Sequence, residues 1–150
     1  MTEIRELQAV IDVCDKLKSR VGADFVGLAL QKEVTPDVCW HYAAGNLNDK
    51  YKRITVRFGK GIAGKVISSG SEMVIIHFPD NIVGKVTDYP IMLAEKLVSS
   101  YAAPLFFRES PKGVLLIGHR KKHFVTDDEQ ELVKDSALLL EQILKGHKSL

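Results

Sequence analysis

The sequence predicts an α+β protein: a central antiparallel sheet of about six strands, with terminal helices on one face and short helices on the other. Three observations carry this expectation. Apolar residues at three- and four-residue spacing mark a helix near each end of the chain. Apolar β segments between them are joined by turns too short for a parallel crossover. Two shorter helical patterns, beginning near Gly61 and Pro90, interrupt the strands.

Taken in order, Ile4, Leu7, Ile11, Cys14 and Leu17 outline an amphipathic helix over roughly residues 2–20. Glu3, Arg5, Glu6, Asp12, Lys16 and Lys18 fill its other face. Residues 24–30 (DFVGLAL) and 38–44 (VCWHYAA) read as β segments joined by a polar turn containing Pro36 and Asp37. Ile54, Val56 and Phe58 alternate with polar residues, which marks a third, half-buried segment. A short helix follows over residues 61–69, with Ile62, Val66 and Ile67 on one side and Gly70 as its stop. Residues 73–76 form a brief apolar strand, and Pro90 opens a second short helix, PIMLAEKLV, where a proline costs no hydrogen bond. Residues 101–107 and 113–118 read as long strands linked by a turn through Glu109, Ser110, Pro111 and Lys112. Thr126-Asp127-Asp128-Glu129 is a capping box that starts a helix reaching about Leu144. Leu132, Val133, Leu139, Leu140, Ile143 and Leu144 give it a broad apolar face.

A chain of 150 residues is expected to form one domain, residues 1–150, with a core that needs neither metal nor disulfide. Its 45% hydrophobic and 27% charged composition excludes a disordered protein. A net charge of +2 argues against a nucleic-acid or membrane-surface partner. MTEIRELQ lacks the apolar segment of a signal peptide, and no apolar run approaches a bilayer span. Cys14 and Cys39 fit neither a disulfide framework nor a metal knuckle. A cytoplasmic protein with free thiols is expected.

The stretch GKGIAGKV, residues 59–66, falls one letter short of a nucleotide phosphate loop, because Val66 stands where a hydroxyl must hold magnesium. The preceding ITVRF alternates and does not suit a strand buried on both faces. The apolar strand VLLIG ends in Gly118 and His119 and supplies no acidic residue for a metal. Nucleotide hydrolysis is therefore excluded. An anion asks for less, since a helix start presents unpaired N–H groups and about half a positive charge. Gly61-Ile62-Ala63-Gly64 and Tyr89-Pro90-Ile91-Met92 are two such starts, on the same side of the predicted sheet and able to face one pocket. The same glycines equally suit tight turns and close helix packing, and both readings stand at this point.

FGKGIAGKVISSG, followed by YAAPLFFRESPKGVLLIG, resembles the GAF domain family of small-molecule sensors over nearly the whole chain. GNLNDKYKRITVRFGKGIAGKV and DYPIMLAEKL are more similar still to the stand-alone nitrate-sensing GAF proteins of staphylococci and related bacteria. The resemblance implies a GAF-type fold whose short helices form a ligand pocket. It also implies a nitrate sensor acting with an oxygen-sensing histidine kinase and its response regulator to control nitrate respiration. The implied nitrate-binding residues are Trp40, Ile62, Ala63, Gly64, Tyr89, Pro90 and Ile91, with Val66, Ile67 and Pro104 as apolar walls. Nitrate is the ligand, and no cofactor is implied. The competing expectation is a GAF module for another small ligand, or for protein contact alone.

The chemistry fits the ion. An indole N–H, a phenol O–H and backbone N–H groups are donors suited to three weak acceptor oxygens. Four heavy atoms at about 1.5 kcal/mol each allow roughly 6 kcal/mol, or tens of micromolar affinity at best. One conflict is foreseeable: an Asp88 carboxylate capping the second short helix would occupy the N–H groups an anion needs.

The remaining residues carry blander expectations. His41, His77, His119, His123 and His147 have no metal-like spacing, so no metal or haem role is expected. HRKKH reads as a solvated turn and not as a nucleic-acid patch. The two cysteines do not reproduce the clustered set of GAF-type free methionine sulfoxide reductases, and no catalytic residues are assigned. Ile4-Leu7-Ile11-Cys14 has coiled-coil-like spacing, and Leu138 adjoins an already wide apolar face. Those terminal helices either pack on the sheet or also meet a second copy or the kinase.

Overall fold

The computed structural model describes residues 3–147; the expected helix start at residue 2 lies outside them. The chain runs α1 (Gln8–Val21), β1 (Phe25–Gln31), β2 (Val38–Ala44), β3 (Thr55–Val56), α2 (Gly61–Ser69) and β4 (Met73–Ile75). It continues through α3 (Pro90–Ala94), β5 (Ser99–Phe107), β6 (Ser110–His119) and α4 (Asp127–Leu144). The six strands lie in the order β3-β2-β1-β6-β5-β4, and every neighbouring pair is antiparallel. This is the expected α+β arrangement. Among the described residues no helix is long and apolar enough to cross a membrane.

Strand alternation sends side chains into two apolar layers. Val26, Leu28 and Leu30 of β1, with Tyr101, Ala103 and Leu105 of β5, pack against α1 and α4. Phe25 and Ala29 of β1, Ala102 of β5, and Val114 and Leu116 of β6 face the opposite layer, which holds α2 and α3. In β2 the pairing slips: Leu28 faces Tyr42 and Ala29 faces Trp40, so His41 is an extra, bulged residue. Parity inverts across that bulge. Val38, Trp40 and then Ala43 share the α2/α3 side, whereas Ala44 faces α1 and α4.

Several elements depart from the sequence expectations. The first helix is broken: a 3-10 turn (Ile4–Glu6) precedes α1, and Leu7 between them is extended. The Leu7 carbonyl accepts from the N–H groups of Val10 and Ile11, which restarts the helix in a new phase. Val10, Cys14, Leu17 and Val21 consequently form the buried stripe, and Leu7 and Ile11 only flank it. The third β segment shrinks to two residues behind a 3-10 turn (Lys50–Arg53) that buries Tyr51. The β5–β6 turn is Arg108-Glu109, both at positive φ (52° and 67°), so Ser110 and Pro111 already belong to β6. Two central residues at positive φ make the tightest hairpin, one normally built from Asn and Gly, which is why Arg-Glu hid it. The second short helix stops at Ala94, with Lys96 at φ 53° and the Leu97 N–H turned back to the Met92 carbonyl.

The last helix starts as expected: the Thr126 side chain accepts from the Glu129 N–H, and the Glu129 carboxylate accepts from the Thr126 N–H. Its apolar face is narrower than expected. Val133, Ala137, Leu140 and Leu144 are buried, but Leu138 is 59% and Leu139 56% exposed. Leu140→Ala should therefore lower stability by about 2–5 kcal/mol through the cavity it leaves. Leu138→Ala should shift it by about 0.5 kcal/mol or less, both read from the urea midpoint.

Candidate functional site

The layer between the sheet and α2/α3 holds most of the expected site. Trp40 is 2% exposed on β2, and the bulge at His41 leaves it pointing into this layer. Gly27 on neighbouring β1 makes room for it: a Cβ there would fall 2.8 Å from the indole ring. Among the described residues the indole N–H has no hydrogen-bonding partner. Ile62, Ala63, Val66 and Ile67 of α2 and Ile91 of α3 join the same cluster. Gly64 is buried inside α2, and Pro90 is half-buried as the first residue of α3.

The start of α2 owes its position to two glycines. Gly61 has φ 64°, and a Cβ on it would stand 2.9 Å from the Asp88 carbonyl oxygen. That contact sets the first residue of α2 against the backbone just ahead of α3, so the two helix starts lie side by side. A Cβ on Gly64 would fall 2.2 Å from the Arg57 carbonyl oxygen. The loop covers it tightly, with the Gly59 N–H donating to the Gly64 carbonyl at 2.9 Å and the Lys60 N–H to Arg57 at 2.9 Å. Of the two readings left open, close packing accounts for Gly64. Gly61 serves to juxtapose the helix starts.

Neither helix start is capped by a side chain. Asp88 does not create the foreseen conflict, because its carboxylate accepts from the Lys85 N–H at 2.9 Å and so caps the 3-10 turn (Val86–Asp88) ahead of α3. Tyr89 is fully buried, and its hydroxyl donates to the Val83 carbonyl at 2.7 Å. Burial raises the Tyr89 pKa, so the phenol keeps that proton. Its ring also leans on Phe78, with centroids 5.9 Å apart. Tyr89 is therefore a fixed wall whose donor is already used.

Pro104 lies apart from this layer. It lines an open groove of about 470 Å³ with Ser71, Glu72, Phe106, Lys134 and Leu138, beside α4. The reason is strand length. β4 pairs only with residues 100–102 of β5, so Pro104 sits where β5 has outrun its neighbour and become a sheet edge.

Sequence reasoning missed a buried ion pair at the end of α3. Glu95 is wholly buried; its Oε1 accepts from Arg120 Nη2 and from the Leu47 N–H, each at 2.8 Å. Arg120 also donates to the Glu95 carbonyl at 2.9 Å and the Gly45 carbonyl at 3.0 Å. In PIMLAEKL that glutamate reads as a solvated helix charge, and no local signal reveals its partner. Phe25 and Leu97, which belong to the same cluster, carried no separate site signal either.

The packing role assigned to Gly64 is testable without ligand. Gly64→Ala should lower the thermal midpoint, because the added methyl overlaps a backbone oxygen that cannot swing away. An unchanged midpoint would contradict that role.

Comparison with known proteins follows the same outline. The GAF domain family profile matches residues 4–145. No curated protein matches the chain. Among solved structures, the hypothetical protein SA1058 from S. aureus is 36% identical, covering 75% of this chain and 93% of its own at a TM-score of 0.69. The NreA protein of Staphylococcus aureus, mutated in its nitrate binding site, is 35% identical, covering 79% of this chain and 92% of its own at a TM-score of 0.68. Free methionine-R-sulfoxide reductase from Neisseria meningitidis is 20% identical, covers 90% of this chain and 77% of its own at a TM-score of 0.71, and shares the fold alone. With the family profile running through every strand and helix described above, this chain belongs to the GAF domain family.

Proposed function

We propose that this chain is a nitrate-binding sensor without catalytic activity, working in the cytoplasm. One observation carries the reading: two uncapped helix starts lie side by side in the buried apolar layer that also holds Trp40 and Tyr89. Its support from relatives is the 35% identity to a protein with a nitrate binding site. On this reading the ion takes its hydrogen bonds from the Trp40 indole N–H and from backbone N–H groups of Ile62, Ala63, Gly64 and Ile91. Pro90 and Tyr89 shape the wall, with Val66 and Ile67 behind. No basic side chain belongs to this set, which favours a monovalent anion over phosphate.

Catalysis finds little footing. Burial pushes the Cys14 thiol up to about 12, with the Asp15 charge acting in the same direction, so it is not a nucleophile near neutrality. Cys39 is on a different element and contacts the Thr55 hydroxyl at 3.4 Å.

Because the site is buried, nitrate must select or induce one arrangement of the α2 and α3 starts. The Glu95–Arg120 pair ties the end of α3 to the residue that follows β6, giving that rearrangement a rigid path toward the surface. The partner in this reading is an oxygen-sensing histidine kinase, whose response regulator controls nitrate respiration. Exposed Leu138 and Leu139 on α4 support a further contact through the terminal helices, with the kinase or in a homodimer.

Calorimetric titration with nitrate, against chloride, nitrite and phosphate at matched ionic strength, should give selective micromolar-to-millimolar binding. Trp40→Phe should weaken it by about 10–100-fold, the value of one hydrogen bond to a charged group of about 1.5–3 kcal/mol. Tyr89→Phe should cost less, because its hydroxyl serves Val83. No selective response to millimolar nitrate would sink the reading in favour of a GAF module for another ligand or for protein contact. With the kinase present, autophosphorylation should depend on this chain and change with nitrate; a rate indifferent to both would remove the partner.

A further inference from the structure

A second cluster of polar side chains lies at the far end of β6, away from the anion layer. His119 is the last residue of β6 and only 6% exposed, and its Nε2 is buried with no hydrogen-bond partner. His123 follows in the loop, with its backbone N–H held by the Ser99 hydroxyl at 2.8 Å. Glu129 stands in the first turn of α4, its carboxylate anchored by the Thr126 N–H at 2.8 Å. His123 Nε2 lies 3.0 Å from both Glu129 oxygens. The three side chains bring ligand-competent atoms within 4.8 Å of one another.

We propose that His119, His123 and Glu129 form a binding site for a borderline divalent cation of the zinc class. Two imidazoles and a carboxylate are a donor set zinc accepts with a fourth position left to water. Oxygen-seeking magnesium and calcium are poorly served by it. The buried, unpaired nitrogen of His119 is a costly group for which a metal is a fitting partner.

Binding needs a modest contraction. Tetrahedral zinc bonds of about 2.0–2.1 Å place ligand atoms about 3.4 Å apart. The His119 and His123 rings stack at 4.0 Å with planes 28° apart, so one ring must turn to aim at a shared ion. His123, 38% exposed at its side chain, has the freedom to do so, while His119 stays fixed in the strand. The ion would replace the proton between His123 and Glu129 and link the end of β6 to the first turn of α4. The histidine spacing hid the set because its third member comes from a different element.

The test uses the full, tag-free chain after chelator treatment. Zinc calorimetry should show one equivalent bound, and cobalt should produce the visible absorption of a four-coordinate site. Zinc, and not magnesium, should raise the thermal midpoint. His123→Ala should weaken zinc by at least about tenfold, and Glu129→Gln should weaken it while preserving the helix cap. His119→Gln should do the same, with circular dichroism reporting retention of the fold. His77→Ala, at an exposed histidine paired with Asp80, should change nothing. Absence of stoichiometric zinc binding, or undiminished affinity in His123→Ala, would overturn the proposal, as would loss of binding in His77→Ala.

Discussion

Burial of the sheet on both faces is the constraint on which the rest of this structure depends. Strands β1, β5 and β6 must carry apolar side chains at nearly every position, and they do: Val26, Leu28 and Leu30 on one side answer Phe25 and Ala29 on the other. Each such side chain is worth about 1.5–3 kcal/mol when fully buried. With both faces occupied, a strand has no freedom to slip by one residue, because a slip would exchange the two layers. The pairing departs from regular register at two places among the described residues: between Leu105 and Phe106, next to the β5–β6 turn, and at His41, beside Trp40. An irregularity tolerated at His41 fixes which layer Trp40 enters and costs little, since β2 has only the two-residue β3 beyond it.

The polar groups of the ligand layer are settled before any ligand arrives. The Asp88 carboxylate serves a 3-10 turn, and the Tyr89 hydroxyl serves Val83. On the proposed nitrate reading, the anion would take the indole N–H and the uncapped first turns of α2 and α3, a set of neutral, fixed donors. Such a set discriminates by size and shape, because it supplies no mobile cation that would reward higher charge. The Glu95–Arg120 pair sits one helical turn beyond, where burying a carboxylate is tolerable only because a guanidinium and an amide meet it. The two features together hold α3 at both ends, through Tyr89 and Val83 ahead of it and through Glu95 and Arg120 behind it.

Legibility in the sequence followed the range of the interaction that sets each feature. Val38–Ala44 and Gly61–Ser69 carry the expected bounds, and Gly70 ends α2 with φ 68°. Thr126 caps α4 as its spacing to Glu129 implies. The Arg108-Glu109 turn and the break at Leu7 were hidden, because hairpin and tertiary packing imposed backbone conformations that those residues do not favour.

The sequence by itself determined the fold class, the family resemblance and the two glycine- and proline-marked helix starts. Hydrophobic period, caps and stops act within a few residues, so they are written locally. Only the tertiary structure decided that Gly61 meets Asp88, that Tyr89 spends its proton on Val83, and that Pro104 falls at a sheet edge. It also decided that Glu95 is buried against Arg120 and that His119 and His123 meet Glu129. Those contacts join different elements through pairing register and layer packing, and neither is legible from spacing along the chain.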